Sequence, residues 1–172
     1  MNWQNIDYTN LLVTLFILII IIRRQLQIKV IKFRMRTYII LIGIGAYETL
    51  MAIQSKFLNL PTNFWIFLVG MVIGAILFGF LRVLSYHLWV DNRGLVMRQG
   101  NWLTVTLWIV GIVFHLILDR IWKGSNVTLL IYIGISLWAQ RGFVWQKATH
   151  LFPEAMPATT AYDKRETRQR HR

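Results

Sequence analysis

The chain has 172 residues, is 56% apolar, carries a net charge of +12 and contains no cysteine. Soluble domains average roughly 45–50% apolar residues, so the excess points to a membrane protein, with no length left over for a separate globular enzyme. The missing cysteines exclude disulfides, thiolate metal sites and thiol redox chemistry.

The first apolar run covers residues 3–22 and is almost unbroken from Leu11 to Ile22. Asp7 precedes it and Arg23 and Arg24 follow it, the reverse of a secretory signal. It is expected to be a retained helix with its N-terminus outside. Residues 23–36 hold six basic side chains and no acid, interleaved with Leu26, Ile28, Val30, Ile31 and Phe33. This texture predicts an amphipathic helix lying on the inner leaflet, its bases among anionic headgroups.

A second span is expected at 37–55, a third at 64–81, a fourth at 103–118 and a fifth at 127–145. Residues 1–147 would then form one multi-span domain, and residues 148–172 a basic, disordered cytoplasmic tail. With this threading only Lys56, Arg120 and Lys123, of nineteen Lys and Arg, lie outside. The positive-inside rule therefore puts the N-terminus outside and the C-terminus inside. The expected class is an all-α integral membrane protein of the plasma membrane. Its basic charge is read as a topology signal facing anionic lipid, not as a nucleic-acid site.

Within the spans, Glu48 is the leading candidate for chemistry, because an intramembrane carboxylate is costly and marks a functional site by default. Gly45, Glu48, Ala52 and Ser55 share one face of their helix. His115 falls at a similar depth in the fourth span, on a face with Thr104, Trp108 and Gly111. The two are expected to meet as a buried pair, either a structural hydrogen bond or a proton-sensitive site. Arg141, near the inner end of the fifth span, is a third candidate, and both it and Arg82 can snorkel to the interface. Gly70, Gly74 and Gly79 predict close helix packing, within or between subunits.

Between the third and fourth spans, Leu88, Trp89 and Val90, then Asp91 to Gly94, then Leu95, Val96 and Met97 predict a short cytoplasmic β-hairpin. Asp91 would start its turn and Gly94 would take the positive φ. Trp89, Asp91, Gly94 and Arg98 are its marked residues, and Trp89, Val90 and Met97 are expected to rest on a supporting surface. Metal and haem readings are weak, since His87, His115, His150 and His171 show no ligand spacing. No nucleophile elbow, phosphate loop or paired acids occur. No cofactor, no metal and no catalytic residue is therefore expected.

The stretch Gly74, Leu77, Gly79 and Arg82, then Trp89-Val90-Asp91, Gly94, Val96-Met97-Arg98 and Gly100, then Leu103-Thr104 and Leu107-Trp108 resembles the CcdC-like membrane proteins of Gram-positive bacteria. The resemblance covers residues 70–119. It implies a small bacterial multi-pass protein, nominally linked to cytochrome c biogenesis, with no established enzymatic role. The combined reading is a non-catalytic accessory or interaction subunit, with a membrane-protein partner or a second copy as company. The alternative is a small proton-coupled transporter or membrane sensor using Glu48 and His115.

Overall fold

The computed structural model describes residues 23, 25–33, 35–53, 61–122 and 128–170. These are mostly helical, with five helices and a three-stranded sheet among them. In chain order they are β1 (Lys29–Val30), α1 (Arg36–Ile53), α2 (Thr62–Leu84), β2 (His87–Val90), β3 (Val96–Gln99), α3 (Trp102–Leu118), α4 (Leu129–Leu151) and α5 (Met156–Arg170). The expected first span, residues 3–22, lies outside the described residues.

α1 to α4 fall where the second to fifth spans were expected, with α4 running six residues further at its end. Among the described residues, α2 is the helix both long and apolar enough to cross a membrane, with a mean hydropathy of 2.6 over its best window. α3 is equally apolar in character but has only 17 residues. α4 lies between α1 and α2, and α3 packs against α2, with its His115 reaching Tyr132 of α4. Small residues allow these approaches. At Gly79 an added Cβ would sit 2.8 Å from the carbonyl oxygen of Ser136, so only glycine lets α2 lie this close to α4. Gly70 and Gly74 face Leu118 and Phe114 of α3. All three glycines of the expected packing motif thus work inside one subunit.

The hairpin forms as the turn chemistry requires. Asp91 Oδ1 accepts from the backbone N–H of Arg93 and of Leu95, both at 2.9 Å, and Gly94 has φ +72°. The hairpin is one part of a larger sheet, however, with strand order β1-β3-β2, all antiparallel. β1 comes from the segment expected to be a surface helix. Residues 28–33 intersperse β-branched and aromatic side chains with two lysines, a composition that suits a strand as well as a helix. The free edge of β3 decides between them, through pairs Lys29↔Arg98 and Val30↔Met97. Ile31 is then fully buried and donates its N–H to the Val96 carbonyl at 3.0 Å.

The resting face of the hairpin also differs from expectation. Leu88 and Val96 are buried, whereas Trp89 and Met97 are half-buried on the opposite face and Val90 is exposed near the turn. Strand side chains alternate faces, so a shift of one residue exchanges the whole set. Leu88 and Val96 join Ile31, Val83, Tyr86, Val144, Ala148 and Met156 in one apolar cluster, so the sheet sits on the ends of α2, α4 and α5.

The expected disordered tail, residues 148–172, is corrected as well. Its first residues complete α4, and Met156–Arg170 form α5. This helix is polar and has little apolar periodicity, which is why composition alone suggests disorder. Docking orders it. Met156 enters the cluster, Thr159 Oγ1 accepts the buried Val96 N–H at 2.9 Å, Asp163 accepts the Phe33 N–H at 3.1 Å, and Glu166 pairs with Lys32.

Candidate functional site: a buried polar chain among α2, α3 and α4

Arg82 stands one turn from the end of α2 and is 1% exposed. Its Nε donates to the Phe78 carbonyl at 2.9 Å and one terminal nitrogen donates to Ser136 Oγ of α4. The guanidinium carbon lies 4.0 Å above the Trp108 ring of α3, a cation–π geometry. The other terminal nitrogen has no hydrogen-bond partner, and no carboxylate among the described residues pairs with this charge. The expectation that Arg82 snorkels to the interface is thus reversed: the side chain turns into the bundle.

Neighbouring groups extend the chain toward the sheet. Ser85 Oγ lies 2.6 Å from Thr104 Oγ1, and Thr104 is itself held by a capping box with Asn101 at the start of α3. Gln140 of α4 donates to the Tyr86 hydroxyl, which in turn donates to Gln25 Oε1 at 2.6 Å. Arg98 of β3 stacks over the Tyr86 ring at 5.1 Å. Burial pushes the Arg98 guanidinium below its ordinary range, while the nearby Tyr86 oxygen opposes that shift. Arg141 donates to the Tyr38 hydroxyl of α1 at 3.0 Å, so it ties α4 to α1 and does not reach toward Glu48.

A second polar group sits at the other end of the bundle. His115 is fully buried, stacked on Tyr132 of α4 with ring centroids 4.7 Å apart. Its Nε2 is 3.5 Å from Asp119 Oδ1, one helical turn on. Phe67 of α2 and Trp122 complete the aromatic wall. Neither imidazole nitrogen makes a hydrogen bond within standard geometry.

Glu48 and His115 are not brought together. Glu48 is exposed, on a face with Ile44, Tyr47 and Met51. The inward polar residue of α1 is its neighbour Thr49, whose hydroxyl donates to the Gly45 carbonyl at 2.8 Å. Gly45 packs against the backbone of α4 at Ile131. At about 100° per residue, that contact carries Thr49, at i+4, inward and turns Glu48 away. Ser55, at the end of the expected stripe, lies outside the described residues.

The partners missed in the sequence have readable signals. Asp119 is i+4 from His115. Tyr132, Ser136 and Gln140 recur every four residues along α4, a polar stripe of the kind recognised on α1. Among the described residues no group of three His, Cys, Asp or Glu converges as a metal site. Comparison with family models, curated proteins and solved structures finds no match.

Proposed function

We propose that this chain is a multi-pass plasma-membrane protein, N-terminus outside and C-terminus inside, that serves as a non-catalytic accessory or interaction subunit. The observation that carries the reading is the inverted character of α2. Its best apolar window is only 33% buried, with Trp65, Ile66, Val69, Ile73 and Leu77 turned outward, while Arg82 is turned in. In water that distribution is unfavourable, because large exposed apolar patches drive association. In a bilayer it is the favourable one, with apolar side chains facing lipid and the charged group turned into the bundle. Exposed Ile39, Ile40, Ile44 and Leu50 on α1, and Ile109, Val113 and Leu116 on α3, continue the apolar belt. The basic residues of the sheet and α5 support a cytoplasmic placement of that end. Kinship with the CcdC-like proteins belongs to the same proposal and rests on the motif at residues 70–119. Under this reading the sheet is the part offered to a partner.

Reporter fusions test the topology. Fusions after Arg36, Gly100 and Arg172 are expected to read cytoplasmic, and fusions at Asn59 and Ser125 external. A cytoplasmic signal at Asn59 would overturn the five-span arrangement. Release of the protein from membranes by alkaline carbonate would overturn the integral placement.

A proton-responsive transporter or sensor is the second reading. What favours it is the buried imidazole of His115 beside Asp119, both on α3. Glu48 no longer contributes to it.

A further inference from the structure

Between the end of α4 and the start of α5 lies an open groove of about 480 Å³, within the size range of small-ligand sites. Pro153, Met156 and Pro157 line its end at the turn between the two helices, and Trp145 and Lys164 line its other end, level with Phe33. Charge on α5 is sorted by face. The two acids, Asp163 and Glu166, turn toward the strand segment, where they meet the Phe33 N–H and Lys32. Lys164, Arg165 and Arg168 are exposed, and no acid among the described residues pairs with them. The groove therefore joins an apolar end, beside which the exposed Glu154 stands in the turn, to an end where Trp145 meets the exposed Lys164. Trp145 is held in place by the Phe33 ring, 5.0 Å away, and Phe33 is itself exposed. Tryptophan and exposed apolar side chains next to lysine are the composition of the membrane–water boundary.

We infer that this groove is a binding site for one anionic phospholipid of the inner leaflet, its phosphate at Lys164 and its acyl chains leaving past Trp145 toward the bilayer. The inference rests on the membrane placement proposed above and adds a defined ligand and site to it. Arg165 and Arg168 supply the wider attraction, and Lys164 the local contact. A lipid held here would bridge α4 and α5 and so hold the sheet against the membrane.

The test uses the full chain in phosphatidylcholine nanodiscs, titrated with short-chain phosphatidylglycerol, short-chain phosphatidylcholine and inorganic phosphate. Binding is read from tryptophan fluorescence, assigned through Trp145→Phe, and from the lipid retained in native mass spectrometry. Phosphatidylglycerol is expected to bind in preference to the other two. Lys164→Gln is expected to weaken it about fivefold, the effect of one basic residue at an anionic surface. Lys164→Arg should keep it, as should Arg120→Gln at the opposite end of α3. Equal binding of phosphatidylcholine, equal binding of inorganic phosphate, or an unchanged Lys164→Gln variant would each overturn the site while leaving the membrane placement intact. A chain that does not enter nanodiscs at all would overturn both.

Discussion

Arg82 and His115 set the chemistry of the bundle at the scale of single side chains. Arg82 is buried without an acid, held by a carbonyl, a hydroxyl and an aromatic face. Removing one partner of a buried charge is more costly than replacing the whole arrangement with apolar groups. Ser136→Ala is therefore expected to lower stability by about 1–3 kcal/mol, seen as a lower melting temperature in detergent, while Arg82→Met loses less than Ser136→Ala. A Ser136→Ala protein that melts like wild type would show that the Arg82–Ser136 bond contributes nothing. At His115 the acid within reach is Asp119, not Glu48. Asp119→Asn keeps the shape and removes the charge. It is expected to change any dependence of melting or function on pH that arises at His115, whereas Glu48→Gln, on an exposed face, is expected to leave that dependence as it is. If Glu48→Gln changes it and Asp119→Asn does not, the pairing described here is wrong.

Two elements do work that their own composition does not announce. The hairpin turn depends on Gly94, the one described residue with positive φ, and its added Cβ would meet no neighbour. Strain alone then decides the outcome of Gly94→Val, at about 1–2 kcal/mol for a left-handed conformation and more for a β-branched side chain. Limited proteolysis is expected to cut that variant at residues 91–95 faster than wild type, with fusion reporters still giving the same topology. Equal cutting would mean that the turn tolerates the side chain. α5 is the second such element. It has the composition of a solvated segment, yet it satisfies a buried backbone N–H through Thr159 and adds Met156 to the sheet's support. An isolated two-stranded hairpin is marginal, and β1 and α5 are what make this one a stable sheet.

At the scale of the whole molecule, packing among the described residues divides into two clusters along the bundle. One holds Phe67, Met71, Ala75 and Tyr132 and takes nothing from α5. The other holds the sheet, the ends of α2 and α4, and Met156. A chain ending at residue 152 is thus expected to reach the membrane at near wild-type abundance, with α1 to α4 still protected. Its sheet should become protease-sensitive, because Met156, Thr159, Asp163 and Glu166 are gone. Loss of membrane abundance to the same extent as loss of sheet protection would show that the two clusters fold as one unit.

The positions of α1 to α4 and the turn at Asp91 to Gly94 were legible in the sequence, because each depends on local chemistry: apolar run length, a side chain that caps a turn, a residue that accepts positive φ. Which face of each element turns inward was not. Glu48 and Thr49 are adjacent, as are Leu88 and Trp89, and one residue of rotation or register exchanges them. That choice was made by Gly45 against α4 and by Leu88 and Val96 against Val83, Val144 and Met156, contacts between residues far apart in sequence. The same holds for residues 28–33, strand or helix by composition until β3 offers an edge, and for α5, ordered only by what it docks on. Local propensity determined where elements occur; burial against distant partners decided how they face, and with that, which polar groups meet.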